Sequence, residues 1–243
     1  MAQSIRLDKY LADAGKGTRS QVKAYIKKGM VFVNGQPAKC GDIKIDTEND
    51  TVLFDGQQVE YKKYVYYMLH KPAGVVSATT DNRDKTVVEL ITADKRRDLF
   101  PVGRLDKDTE GLLIITNDGK LASSLLSPKK HVGKKYFAIL DKEACEQDIV
   151  SFAKGLDIGD ERDTLPAILT IDMSDRRKVV VEITEGRYHQ VKRMFNAVGK
   201  EVTYLKRLSM GGIYLDEKLK AGDFRELTDE ELMILKNQKS ACI

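Results

Sequence analysis

Apolar residues recur at Leu7, Tyr10, Leu11 and Ala14, the i, i+3, i+4, i+7 spacing of one helical face, and Gly15-Lys16-Gly17 closes that segment. A second helix follows at once. Thr18-Arg19-Ser20-Gln21 has capping-box spacing, and Val22, Tyr25, Ile26 and Gly29 renew the apolar stripe. Val31-Phe32-Val33-Asn34-Gly35-Gln36 then changes period to a strand and an Asn-Gly hairpin turn. From Tyr64 the pattern is mixed. It predicts strands at Tyr64 to Leu69, Leu112 to Thr116, Lys135 to Leu140, Leu165 to Ile171, Val179 to Ile183 and Val202 to Leu205. Helices are predicted at Asp118 to Leu126, Glu143 to Lys154 and Tyr188 to Val198. The class implied is α+β.

The 243 residues suffice for one large domain or a moderate one beside a small one, and 42% hydrophobic content supports a packed core. No run of about 18 apolar residues occurs, and Met1-Ala2-Gln3-Ser4 carries no signal-peptide core, so a cytoplasmic protein with no membrane association is expected. Cys40, Cys145 and Cys242 are odd in number and form no C-x-x-C pair, and His70, His131 and His189 are scattered. Neither a disulfide framework nor a metal site follows from such spacing, and Gly211-Gly212 alone makes no phosphate loop. The expectation is an activity with no metal and no cofactor.

Charge changes this picture through its distribution, not its net value of +4. Residues 1–45 hold nine Lys/Arg against Asp8, Asp13 and Asp42, a net of +6. Residues 46–60 hold Asp46, Glu48, Asp50, Asp55 and Glu60 and no base, a net of −5. We expect a basic N-terminal domain over 1–60 that ends in an acidic linker, and a second domain over 61–243. Arg19, Lys23 and Lys27 fall at i, i+4 and i+8 on the second helix with Lys28 beside them, a face that must meet solvent and suits phosphate contact.

The opening Arg6-Leu7-Asp8-Lys9-Tyr10-Leu11, the basic helix and the V-x-V-N-G turn resemble the S4 RNA-binding domain in order. That resemblance covers about 45 residues and implies that Arg19, Lys23, Lys27 and Lys28 bind RNA.

The densest chemistry lies in Gly103-Arg104-Leu105-Asp106-Lys107-Asp108-Thr109-Glu110-Gly111-Leu112-Leu113, where a polar loop leads into an apolar strand. Arg104 and Asp106 cannot be buried cheaply unless paired, which puts them at a sheet end, facing solvent or substrate. The string resembles the G-R-L-D-x-x-T-x-G-L-L motif of the RNA pseudouridine synthases, in the branch that includes the synthase A of the small-subunit ribosomal RNA. The family's catalytic aspartate falls on Asp106. Glu185-Gly186-Arg187-Tyr188-His189-Gln190-Val191-Lys192-Arg193-Met194 resembles the family's C-terminal motif, and Lys134-Lys135-Tyr136 its K-x-Y element. The resemblance implies a second, mixed and largely antiparallel sheet domain that isomerises one uridine of 16S ribosomal RNA.

In that reading Asp106, Tyr136 and Lys192 are catalytic and Arg104 and Arg193 bind substrate. The uridine must be flipped out of the RNA, Tyr136 packs on its base, and Arg104 meets phosphate or fills the gap left behind. Asp106 acts on C1′ or C6, or takes the proton from C2′; each route needs the ionised form, which a cation such as Lys192 favours. His70-Lys71-Pro72-Ala73-Gly74 resembles the family's K-P-x-G turn and reads as structural, Pro72 and Gly74 fitting a tight turn; contact of Lys71 with RNA is the lesser alternative. Asp108, Glu110 and Asp118 match no catalytic position and read as solvated or turn acids.

Three other functions are weighed. A synthase for 23S ribosomal RNA has the same motifs. A noncatalytic ribosome-associated binder would use the same basic residues but has no need of an acid between Arg104 and a basic cleft. A glycosidic hydrolase needs two opposed carboxylates, and Asp108 is the nearest second one. The partner in the leading reading is 16S ribosomal RNA or a small-subunit assembly intermediate, with the protein a monomer.

Overall fold

A capping box starts the second helix of the computed structural model, which describes residues 4–92 and 98–238. The chain separates into one unit of Met1–Val65 with Ile91–Leu99 and another of Tyr66–Leu90 with Phe100–Ile243.

In the first unit, β1 (Ser4–Arg6) pairs antiparallel with β4 (Lys44–Asp46). Between them lie α1 (Leu7–Asp13), α2 (Arg19–Lys27) and the hairpin of β2 (Val31–Val33) and β3 (Gln36–Pro37). Asn34 and Gly35 both take positive φ in the hairpin turn, as a type I′ connection requires. The Thr18 hydroxyl accepts from Gln21 N, and Gln21 Oε1 accepts from Thr18 N, so two free amides at the start of α2 are satisfied. Leu7, Leu11, Val22, Ile26, Val31, Ile45 and Val52 form the core. Gly29 departs from the predicted stripe: it is exposed at φ +73, just past the helix end.

The acidic stretch does not behave as a linker. Val52–Phe54 (β5) pairs with β2, and Gln57–Gln58 (β6) pairs with β5, so the stretch belongs to the four-stranded sheet. Its acids serve turns: the Asp50 carboxylate accepts from Asn34 Nδ2 and from Asp46 N.

The second unit is built on a nine-stranded sheet. Its strands are β7 (Tyr66–Lys71), β8 (Phe100–Pro101), β9 (Glu110–Thr116), β10 (Lys134–Leu140), β11 (Ile168–Ile171), β12 (Lys178–Ile183), β13 (Val202–Met210), β14 (Ile213–Tyr214) and β15 (Phe224–Glu226). The order is β11-β12-β10-β13-β9-β7-β15, with β14 on β13 and β8 on β9, and among the described strands of this sheet only β9 and β13 pair in parallel. The mixed, largely antiparallel α+β expectation is met. All of β9 from Gly111 is buried, as a strand covered on both faces must be, whereas β10 alternates and turns Lys134, Tyr136, Ala138 and Leu140 inward. Helices α3 (Gly119–Leu126) and α6 (Asp229–Lys236) cover one cluster of Met68, Leu112, Ile114, Met210 and Leu235. Helices α4 (Glu146–Lys154) and α5 (Gln190–Ala197) meet through Phe152 and Phe195, whose rings are 4.9 Å apart.

Element ends shift for identifiable reasons. β11 begins at Ile168 because Leu165 N donates to Glu185 Oε1 instead of to a ladder. β13 runs five residues past its predicted end, through Lys206 and Arg207, whose charges interrupt the apolar pattern. Asp118, read as a solvated or turn acid, is buried and caps α3 by accepting from Lys120 N and Leu121 N.

Candidate active site

Asp106 sits in the loop between β8 and β9, and that loop is fastened from inside. Lys71 at the end of β7 is fully buried, and its ammonium donates to the carbonyls of Pro72, Lys107 and Thr109 at 3.0, 3.3 and 2.8 Å. Gly74 N donates to Lys107 O, and the Ser77 hydroxyl both donates to Leu105 O and accepts from Leu105 N. A lysine open to RNA is therefore ruled out at position 71. Its K-P-x-G turn is the clamp that shapes the acid-bearing loop.

Asp106 is half-buried and meets two groups from the start of α5. Its Oδ2 lies 3.4 Å from Lys192 Nζ and its Oδ1 3.4 Å from His189 Nε2. Lys192 also reaches Asp108 at 2.6 and 2.8 Å, so one ammonium serves two carboxylates. That hydrogen bond holds Asp108 below the usual carboxylate range. Asp108, read as a solvated or turn acid, is the closer partner of Lys192.

These groups open on a cavity of about 590 Å³, whose wall includes Arg104, Asp106, Tyr136, His189, Lys192 and Arg207. Tyr136 is buried on β10, opposite Arg207 of β13. Arg104 is exposed at the rim. The structure thus brings together Asp106, Tyr136, Lys192 and Arg104. It does not bring Arg193, whose guanidinium faces Asp160 at 2.6 Å and the carbonyls of Ile158 and Tyr188. Arg19, Lys23, Lys27 and Lys28 lie exposed on and beside α2 of the first unit.

Several wall residues went unread in the sequence. His189 takes φ 48 and ψ 32 at the N-cap of α5, a left-handed conformation, and Tyr188 stacks on it at 3.8 Å while remaining exposed. The motif's Arg187 and Gln190 turn to the backbone: Arg187 donates to Arg162 O and Asp163 O, and Gln190 is buried between Arg187 N and Glu185. They set the start of α5, which in turn places Lys192.

Burial pushes the amines of Lys71 and Lys134 down to about 8. Between about pH 8 and the ordinary lysine value the unfolded chain binds more protons at these amines than the folded one. Stability contributed through them therefore rises with pH across that window. We expect the rise in unfolding temperature from pH 8 to 9.5 to be smaller in Lys134→Met, measured by calorimetry; an identical rise would refute the assignment.

The chain is similar to known proteins over most of its length. The family model for RNA pseudouridylate synthase matches residues 65–197, and that for the S4 domain matches residues 5–52. An uncharacterized RNA pseudouridine synthase of Bacillus subtilis is 49% identical over 95% of this chain and 98% of its own. The ribosomal small subunit pseudouridine synthase A of Vibrio parahaemolyticus is 43% identical, over 94% of this chain and 98% of its own. That of Escherichia coli is 37% identical over the same shares. A crystal structure of a pseudouridylate synthase superposes with a TM-score of 0.67 at 36% identity, covering 95% of this chain and 99% of the other.

Proposed function

The chain belongs to the RNA pseudouridylate synthase family, and from that premise we propose that it converts one uridine of 16S ribosomal RNA to pseudouridine with Asp106 as the reacting carboxylate. The observation that carries this reading is the half-buried Asp106, met by Lys192 and His189 on the wall of a cavity that Tyr136 also lines. The 16S assignment rests on the names of the small-subunit relatives at 43% and 37% identity.

Isomerisation breaks the bond between C1′ and N1, turns the base and joins C1′ to C5, with a proton leaving C5 and one arriving at N1. A carboxylate serves this by attack on C1′ or C6, or by taking the proton from C2′. Lys192 balances the charge of Asp106, and Tyr136 offers a ring against which a flipped base packs. Flipping costs a few kcal/mol, least for a uridine already unpaired. Arg104 at the rim meets the RNA backbone, and the exposed cations of the first unit add phosphate contacts.

The deciding experiment incubates the protein with unmodified 16S RNA, free and partly assembled, and with 23S RNA, then maps pseudouridine by chemical labelling and primer extension. One new position in 16S RNA is expected. Modification confined to 23S RNA would overturn the 16S assignment, and binding with no modification would favour a noncatalytic binder.

The first unit should act through charge. Replacing both Lys23 and Lys27 by Gln is expected to weaken binding of all RNA sequences alike and to reduce the slope of log K against log salt by about 1–2. A filter-binding salt titration with an unchanged slope would remove these residues from the interface.

A further inference from the structure

We infer that Arg207 is a substrate-contacting residue, whose guanidinium donates to a carbonyl oxygen of the uracil while the base is detached from its ribose. The inference rests on the reading of the cavity as the uridine site. Its starting point is a group that folding alone does not explain. Arg207 is 2% exposed and lies on β13 in the cavity wall. Among the described residues its only hydrogen bond runs from Nε to Leu112 O at 2.7 Å, and Nη2 is enclosed without a partner.

A buried guanidinium offers five N–H donors, stays charged at any working pH and is costly to enclose without a carboxylate. Two other buried cations, Lys71 and Lys134, line or underlie the same region, and both spend their ammonium on backbone carbonyls. Of the three, Arg207 is the one with a buried side-chain nitrogen that has no hydrogen-bond partner among the described residues. It also faces Tyr136 across the β10–β13 ladder, so a base packed on that ring has its edge near the guanidinium.

The chemistry needs a donor there. When C1′–N1 breaks, its electron pair stays with the ring and spreads over N1, O2 and O4. A fixed cationic donor at O2 or O4 stabilises that charge. When C5 joins C1′, the C5 proton leaves to water and N1 takes one up, so the isomerisation balances with no co-reactant. Arg207 transfers no proton in this scheme. It holds charge that exists only between the two bonds, the kind of contact that lowers the barrier without tightening RNA binding.

The test compares the parent, Arg207→Gln and Arg207→Lys in single-turnover assays on RNA whose modified position has been mapped, bearing uridine, 2-thiouridine or 4-thiouridine there. Sulfur is a poor acceptor, so one thio substitution should slow the parent. Arg207→Gln is expected to lose roughly 100-fold in rate with RNA affinity changed by no more than about twofold. It should also be insensitive to the thio substitution that slows the parent. A merely structural role predicts a rate loss with the thio penalty intact, and that result overturns the inference, as does a near-parental rate in Arg207→Gln. Should Arg207→Gln fail to fold, the decision passes to the parent and Arg207→Lys, which retains charge and a donor. Equal parental rates on all three RNAs overturn the inference. A parent that forms no pseudouridine in any ribosomal RNA removes the uridine-site reading itself.

Discussion

Asp106→Asn is expected to bind 16S RNA at least as tightly as the parent and to form no pseudouridine. The amide matches the carboxylate in shape, and the clamp by Lys71, Gly74 and Ser77 acts on the backbone of the loop, so the fold survives the exchange. What disappears is the electron pair that any of the three routes uses, and single-turnover rates should fall by at least about 10⁴-fold. Removing one negative charge from the cavity wall also removes a repulsion toward phosphate, which favours binding. The measurement pairs primer-extension mapping with filter binding at fixed salt. Turnover within about tenfold of the parent would exclude Asp106 as the reacting group.

The second large effect is on folding. In Gly111→Ala the second unit should not reach its native state. Gly111 has φ +109, and a Cβ there would stand 2.2 Å from Arg207 O and 2.6 Å from Arg207 N. Both contacts are backbone, in the parallel pairing of β9 with β13, and β9 is held on its other side by β7. Neither strand can retreat without breaking a ladder. The cost of strain plus overlap should exceed about 4 kcal/mol, a large share of the 5–15 kcal/mol that holds a domain together. Loss of the cooperative thermal transition, with insoluble protein on expression, is the expected readout. A soluble Gly111→Ala protein melting with the parent would show that the strands can part.

The glycine and the aspartate stand five residues apart in one motif, yet the sequence exposes their roles unequally. Asp106 was legible because the string around it resembles the family's G-R-L-D motif; an Arg and an Asp two residues apart read by themselves as a surface ion pair. Gly111 was legible only as a letter of a pattern, since its reason is the approach of β13, some 95 residues away in the chain. The N-terminal helices, the capping box at Thr18 and the Asn-Gly turn were readable because their interactions are local. The acidic strip misled because an excess of like charge reads the same way in a linker and in the turns of a hairpin. Arg207 read as one of the bases of a phosphate-lined rim, and its burial was not legible because a charged residue near the predicted end of a strand looks like its exit to solvent. Whether such a residue is buried depends on which strands flank it, and that is a property of sheet order. Arg193 and Lys192 are neighbours with the same charge. Only the turn built by Arg187 and Gln190 decides which of them faces Asp106.

The inward fastening of the Asp106 loop also fixes when conformational entropy is lost. Lys71 Nζ, Gly74 N and the Ser77 hydroxyl are committed before any RNA arrives, so the ordering of the loop is charged to folding and not to association. The acid is then preorganised, and a uridine entering the cavity does not have to build the site around itself. Discrimination among uridines is then expected to fall largely to the RNA, favouring positions whose own folding leaves the base cheap to extrude.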